Sequence, residues 1–431
     1  MPEDPMAKFS PTAQMPRYLQ AFQCVGPACP ETCCSGWRVT IDKATFKKMK
    51  AIGDEPLRRR IAIHLVKDDD SNPAAWGHLQ MEDNGDCGFL DADRLCSIQK
   101  QLGANALSDT CNHYPRQFQQ VDGEHRVQAT LSCPEAARLA LTDAEAMAPV
   151  AVTLEQFANA SELPPGMRWN DGAGTPKVSH LGGRVLHDLL VSLFDAPGLG
   201  AFDALALGLM LVRRVNGYVQ ELAARPEGST PREQRLQDLS ELFSRFMDAA
   251  HNTQLLEVVR GLEAGTRFAP DMLRTVTRMI WQRRLTASAR TMLGDVVAGL
   301  RLDEADEQVA RERWAEARRL HWDDWARGHG HMLRNYLVNS LQSSLIGRHF
   351  GTPQALEDAY LDLVIRAALV RYWLIGQMAL HGDAFTPEMA VRTVYALSRS
   401  IEHDRRFMAG VLQTMDEQGI RSLATGVVLI Q

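Results

Sequence analysis

Eight cysteines lie between Cys24 and Cys133, and the 298 residues from 134 to 431 contain none. This crowding constrains the chain more than any other feature. It divides a cysteine-bearing front part from a cysteine-free back part. The opening run, MPEDPMAKFSPTAQ, has acids and prolines and no apolar stretch of the secretory kind, and the longest uninterrupted apolar run, Ala204 to Val212, is too short to cross a membrane. These features lead us to expect a cytoplasmic protein without a transmembrane segment. In a reducing compartment, clustered thiols are expected to bind metal rather than form disulfides.

The spacing narrows the metal without fixing it. The first cluster is Cys24-x4-Cys29-x3-Cys33-Cys34, followed by Cys87, Cys96, Cys111 and Cys133. Thiolates suit zinc and iron–sulfur clusters alike. The tight Cys-x2-Cys pair of common zinc sites is absent, and the wider gaps are nearer to those that wrap an iron–sulfur cluster. Structural zinc, an iron–sulfur cluster and no metal all stay open on spacing. The adjacent Cys33 and Cys34 are expected to point in different directions. Neither a Gly-x-Gly-x-x-Gly loop, a Walker A sequence nor Cys-x3-Cys-x2-Cys occurs. A net charge of −6 speaks against a nucleic-acid partner.

The fold class expected is mainly α. A small cysteine-rich α+β domain (1–145) surrounds a metal cluster and packs on a larger helical domain (146–431), with a linker at about 142–178. In the front part, Trp37 to Asp42 and Arg126 to Leu131 read as short strands, the latter entered by a turn at Asp122-Gly123. A helix is expected to start at Pro134-Glu135, with Ala136, Leu139 and Ala140 facing inward. The front elements are too short to promise a core of their own, so the metal is expected to hold them. The back part reads as seven to nine helices. Thr230-Pro231-Arg232-Glu233 has the form of a capping box, Thr352-Pro353 and Thr386-Pro387 repeat the start, and Val391, Val394, Leu397 and Ile401 keep helical period. Helical stretches are also expected over 271–285 and 304–345.

The strings CVGPACPETCCSGWRVTID, CGFLDADRLCSIQ, GANALSDTCNHYPR and LSCPEAARLAL, in that order, resemble the flagellin lysine-N-methylases. Those enzymes belong to a wider group carrying a zinc- or iron-chelating cysteine cluster. The resemblance covers residues 18–141 with all eight cysteines in place, and Asn335-Tyr336-Leu337-Val338-Asn339 resembles a helical motif of the same family. It implies methylation of lysine ε-amines on flagellin, S-adenosylmethionine as donor and a [4Fe–4S] cluster, with zinc as the alternative. The implied ligand candidates are Cys24, Cys29, Cys33, Cys34, Cys87, Cys96, Cys111 and Cys133. A chelating module that docks a protein partner without catalysis is the second reading.

Methyl transfer to lysine needs a neutral amine aligned with the donor, and so a desolvated site or a base. Tyr114, close in sequence to the ligands, is the candidate to orient or deprotonate the amine. Arg116 is the candidate clamp for a cofactor carboxylate, and Trp37 the candidate to line the cofactor pocket. Packing is the plainer role for both aromatics, and an ion pair for Arg116. Asp42 and Asp91 suit turns or caps, and Glu135 the first turn of its helix. His321, His329 and His331 have no glutamate or cysteine at matching helical spacing and read as packed or solvated.

Overall fold

The computed structural model describes residues 12–69, 72–121, 124–154, 167–169, 178–260, 268–283, 285–402 and 405–430. The chain divides into two compact units. One comprises Met1–Leu139 and Ala148–Asp171, the other Ala140–Met147 and Gly172–Gln431.

The first unit is α+β. Its strands are β1 (Thr12–Pro16), β2 (Val39–Ile41), β3 (Leu65–Lys67), β4 (Gly77–Leu79), β5 (Arg116–Val121), β6 (Glu124–Ala129), β7 (Pro149–Thr153) and β8 (Met167–Trp169). Its helices are α1 (Lys43–Lys50), α2 (Glu55–His64), α3 (Ser97–Leu102), α4 (Asp109–His113) and α5 (Pro134–Thr142), the last ending in the second unit. One sheet has the order β7-β1-β6-β5-β8, with β1–β6 and β5–β8 parallel and the other pairs antiparallel. A three-stranded antiparallel sheet has the order β2-β4-β3. The strand expected from Trp37 shortens to β2 because Asp42 leaves it to cap α1, accepting from Ala44 N and Thr45 N at 2.8 and 2.9 Å. The strand expected over Arg126–Leu131 is shifted to Glu124–Ala129, and the turn at 122–123 lies outside the described residues. So does most of the expected linker, 155–166 and 170–177.

The first unit has a hydrophobic core, against the expectation that its elements are too short for one. Val39, Ile41, Met49, Leu57, Ile61, Leu65, Leu79, Phe89 and Ile98 converge. Each element contributes only one to three apolar residues, yet the cysteines complete the set. Cys87 is buried in this core, and Cys34, Cys96 and Cys111 pack against it. A thiol behaves as a small hydrophobe there.

The second unit is helical: α6 (Val178–Leu193), α7 (Ala201–Ala223), α8 (Arg232–Met247), α9 (Ala249–Arg260), α10 (Phe268–Trp281), α11 (Ala287–Leu300), α12 (Glu307–Ala317), α13 (Asp323–Ser344), α14 (Pro353–His381), α15 (Pro387–Ile401), α16 (Arg405–Glu417) and α17 (Leu423–Ile430). These twelve among the described residues exceed the seven to nine expected. The long run at 304–345 divides at a π-helical turn, Arg318–Trp322, and turns and short breaks split others where periodicity alone runs on. Helix α14 is apolar on all sides and packs on α7, α11, α12 and α17. Pro353–Ala384 is long and apolar enough to cross a membrane, but 83% of its most apolar window is buried inside the protein. Gly299 of α11 lies directly against the Gly376 carbonyl of α14, leaving no room for a Cβ.

Candidate thiol site

The segment Thr32 to Trp37 curls tightly. Thr32 Oγ1 accepts from Cys34 N at 3.1 Å, and Trp37 Nε1 donates to Cys33 O at 2.6 Å. This curl turns the Cys33 and Cys34 thiols toward each other. They hydrogen-bond, correcting the expectation that they diverge. That bond, followed by burial, pushes the Cys34 thiol far above the usual thiol range. Cys87 N donates to Cys34 O at 2.8 Å, and Leu90 bridges to Cys96, which brings the Cys87–Cys96 loop onto the same curl.

Cys33 is the hub. It is an electrostatic neighbour of Cys34, Cys87, Cys96, Cys111 and Cys133. Burial raises the Cys87 thiol to about 11 and the Cys111 and Cys133 thiols to about 12, with neighbouring thiols adding to the effect; Cys96 moves in the same direction. Clustered thiols resist ionising together. Cys29 donates to Glu31 O at 3.1 Å and is a neighbour of Cys133. Cys24 is exposed, and all eight are free thiols. Among the described residues no three Cys, His, Asp or Glu side chains converge on a point that would hold one metal ion. The thiols nevertheless share one neighbourhood, and thiolates are soft donors.

The other candidates surround this neighbourhood. Tyr114 ends α4, its ring 5.6 Å from that of Trp37 and its hydroxyl 3.0 Å from Ser132 Oγ, which lies 2.9 Å from Thr130 Oγ1. Arg116 opens β5 with its guanidinium over the Phe22 ring at 5.0 Å. Burial lowers its pKa, opposed by the nearby Cys133. Trp37 packs against the core. Asp91 accepts from Asp93 N and Leu95 N in a turn, and Glu135 pairs with Arg138 in the first turn of α5. Ser132 carries no sequence signal as a supporting group. Ser108 caps α4 through Cys111 N at 3.3 Å, and a Ser-x-x-Cys cap was its only signal. His113 carries no sequence signal either. It is buried edge-on to Phe118 at 5.0 Å, its pKa lowered mainly by burial.

In the second unit, His329 stacks on Trp325 at 5.1 Å, and burial lowers the pKa of His331. Asn335, fully buried, donates to Ala140 O and Asp143 O at 2.8 Å each, which accounts for a polar residue at this helix position.

Fold and site together define a mainly helical protein that carries a thiol-rich α+β unit. The profile of the FliB lysine N-methylase C-terminal domain matches residues 188–429, more than half of the chain. A lysine-N-methylase of Salmonella typhimurium is 38% identical over 159 residues, 36% of this chain and 39% of that protein, and one of Salmonella choleraesuis matches to the same extent. The flagellar biosynthetic protein FliU of Salmonella muenchen is 41% identical over 140 residues, 32% of this chain and 81% of that protein. The chain belongs to the FliB lysine N-methylase family. It spans about two fifths of the length of the two lysine-N-methylases it matches. No solved structure matches.

Proposed function

We propose that the protein transfers methyl groups from S-adenosylmethionine to lysine side chains of flagellin, and that its front unit holds a [4Fe–4S] cluster, with zinc as the alternative occupant. The observation that carries this reading is the gathering of thiols around Cys33 in a chain of the lysine N-methylase family. The names of the relatives support the lysine chemistry and a flagellar target.

In this reading the ligands come from Cys33, Cys34, Cys87, Cys96 and Cys111, with Cys29 and Cys133 beside them. Their protons leave when a metal binds. A cluster held by these thiolates would supply Lewis-acidic iron to the site. Everything else falls to the side chains. Trp37 and Tyr114 keep water from the thiols. The lysine ammonium gives its proton to solvent water, and the Tyr114 hydroxyl, fixed by Ser132, orients the neutral amine, which takes the methyl group as S-adenosylhomocysteine leaves. Arg116 is positioned by Phe22 and supplies positive charge beside Cys133.

Purified protein, labelled S-adenosylmethionine and flagellin test the reading. Labelled methyl-lysine is expected, and a Cys33→Ser control should give none. Folded, metal-loaded protein that yields no labelled lysine overturns it. Anaerobic preparations are expected to be brown; colourless, zinc-loaded protein would replace iron with zinc.

A further inference from the structure

An open cleft of about 560 Å³ lies in the first unit, against Cys87. Its walls carry charges of both signs. Arg60 and Arg94 line it together with Glu82, Asp86 and Asp91. Most of these are already matched: His64 pairs with Glu82 at 3.2 Å, Arg94 with Asp86 at 3.4 Å and Lys100 with Asp91 at 2.9 Å. Arg60 differs. Its partner is a neutral hydroxyl, Ser97 Oγ at 3.1 Å, and Ser97 Oγ in turn donates to Phe89 O at 2.8 Å. The guanidinium is therefore held in place without a carboxylate among the described residues. Gly88 lies directly beneath the His64 ring, and a Cβ there would overlap it, so the floor of the cleft at Cys87 admits no larger residue.

A fixed guanidinium without an acid, facing carboxylates across a cleft of ligand size, suits a zwitterion. We infer that this cleft binds the amino-acid end of the methyl donor, its carboxylate on Arg60 and its ammonium among the acidic side chains that line the same cleft. The inference rests on the methylase reading above and gives the donor a place beside Cys87. Arg60 is then a carboxylate clamp besides the candidate Arg116, whose guanidinium lies over the Phe22 ring.

The test is equilibrium binding of S-adenosylmethionine and of S-adenosylhomocysteine to the full-length, metal-loaded protein. Both carry the same amino-acid end, so Arg60→Gln is expected to weaken both by about tenfold or more. Arg60→Lys keeps the charge and should lose less. Arg58→Gln, on the exposed side of the same helix in a pair with Glu55, should bind as the parent does. Thermal unfolding of each variant separates a binding loss from a folding loss. Arg60→Gln protein that is folded and binds both ligands like the parent overturns the site and leaves the methylase reading standing. Parent protein that binds neither ligand overturns both.

Discussion

Cys33 and Cys24 belong to the same short cluster in sequence, but their surroundings differ. Cys33 neighbours five other thiols, while Cys24 is exposed. On the proposed reading, Cys33→Ser abolishes metal binding, and Cys24→Ser leaves most of the metal in place. Metal analysis of anaerobically purified variants checks both, and equal losses would mean that Cys24 is a ligand of equal standing. At this scale the sequence marked which residue types matter but not where each side chain faces. The roles of Asp42 and Asp91 were legible because capping and turn formation are local. The meeting of Cys33 and Cys34 was not, since it depends on bonds from Thr32 and Trp37 that curl the backbone between them. Arg60 was invisible for a related reason: its partner, Ser97, is distant in sequence.

Helix starts show how local signals succeed and fail. Asp42 caps α1 with two bonds, and although burial works against it, these bonds and that of the Thr45 hydroxyl hold its carboxyl below the usual carboxylate range. Asp42→Ala is expected to cost about 1 kcal/mol or somewhat more. This stabilisation is complete above the ordinary aspartate pKa and is lost as pH falls through the lower folded value. Thr230 has the sequence of a cap, but α8 begins at Arg232 after Pro231, and no side chain caps it. Thr230 instead accepts from Arg225 at 3.3 Å. Thr230→Ala should therefore change stability by less than about 0.5 kcal/mol. Urea unfolding of the two variants measures the contrast; a Thr230 cost equal to that of Asp42 would mean that the box forms. The crossing of α11 and α14 makes a second prediction. An alanine gains up to about 1 kcal/mol over glycine inside a helix, and less in the last turn, where Gly299 sits. At Gly299 its Cβ would overlap the Gly376 carbonyl, and backbone cannot move aside as a flexible side chain can. The clash should win, so Gly299→Ala is expected to destabilise by about 1–3 kcal/mol in the same measurement. Neither glycine stands out in the sequence, because a crossing brings together residues far apart in the chain.

Across the molecule, the largest buried ionisable side chains fix how stability depends on alkaline pH. Tyr18 in the first unit and Tyr336, Tyr360 and Tyr372 in the second are buried, and burial raises the pKa of each phenol. A phenol raised in the folded state keeps its proton after the unfolded chain has lost it. Its contribution is complete below about pH 10 and declines as pH rises further, by up to about 1.4 kcal/mol per pH unit for each tyrosine. Arg371 works in the opposite direction. Burial, then nearby Arg318, lowers its pKa to about 9, so it sheds its proton earlier in the folded state and favours folding as pH rises. The lowered guanidiniums, Arg371 here and Arg116 in the first unit, stand against four raised phenols and the raised thiols of the first unit, and a net loss of stability above about pH 10 is expected. Tyr360→Phe separates the contributions. It removes a hydrogen bond to Leu205 O, costing about 1 kcal/mol at neutral pH, and it also removes one titrating phenol. The variant should start less stable and lose stability more slowly with pH, so its unfolding midpoint approaches that of the parent at high pH. Phenolate absorbance gives an independent check. Tyrosines that ionise near pH 10 while the protein is still folded would show that burial does not protect them, and the two midpoint curves would then run parallel.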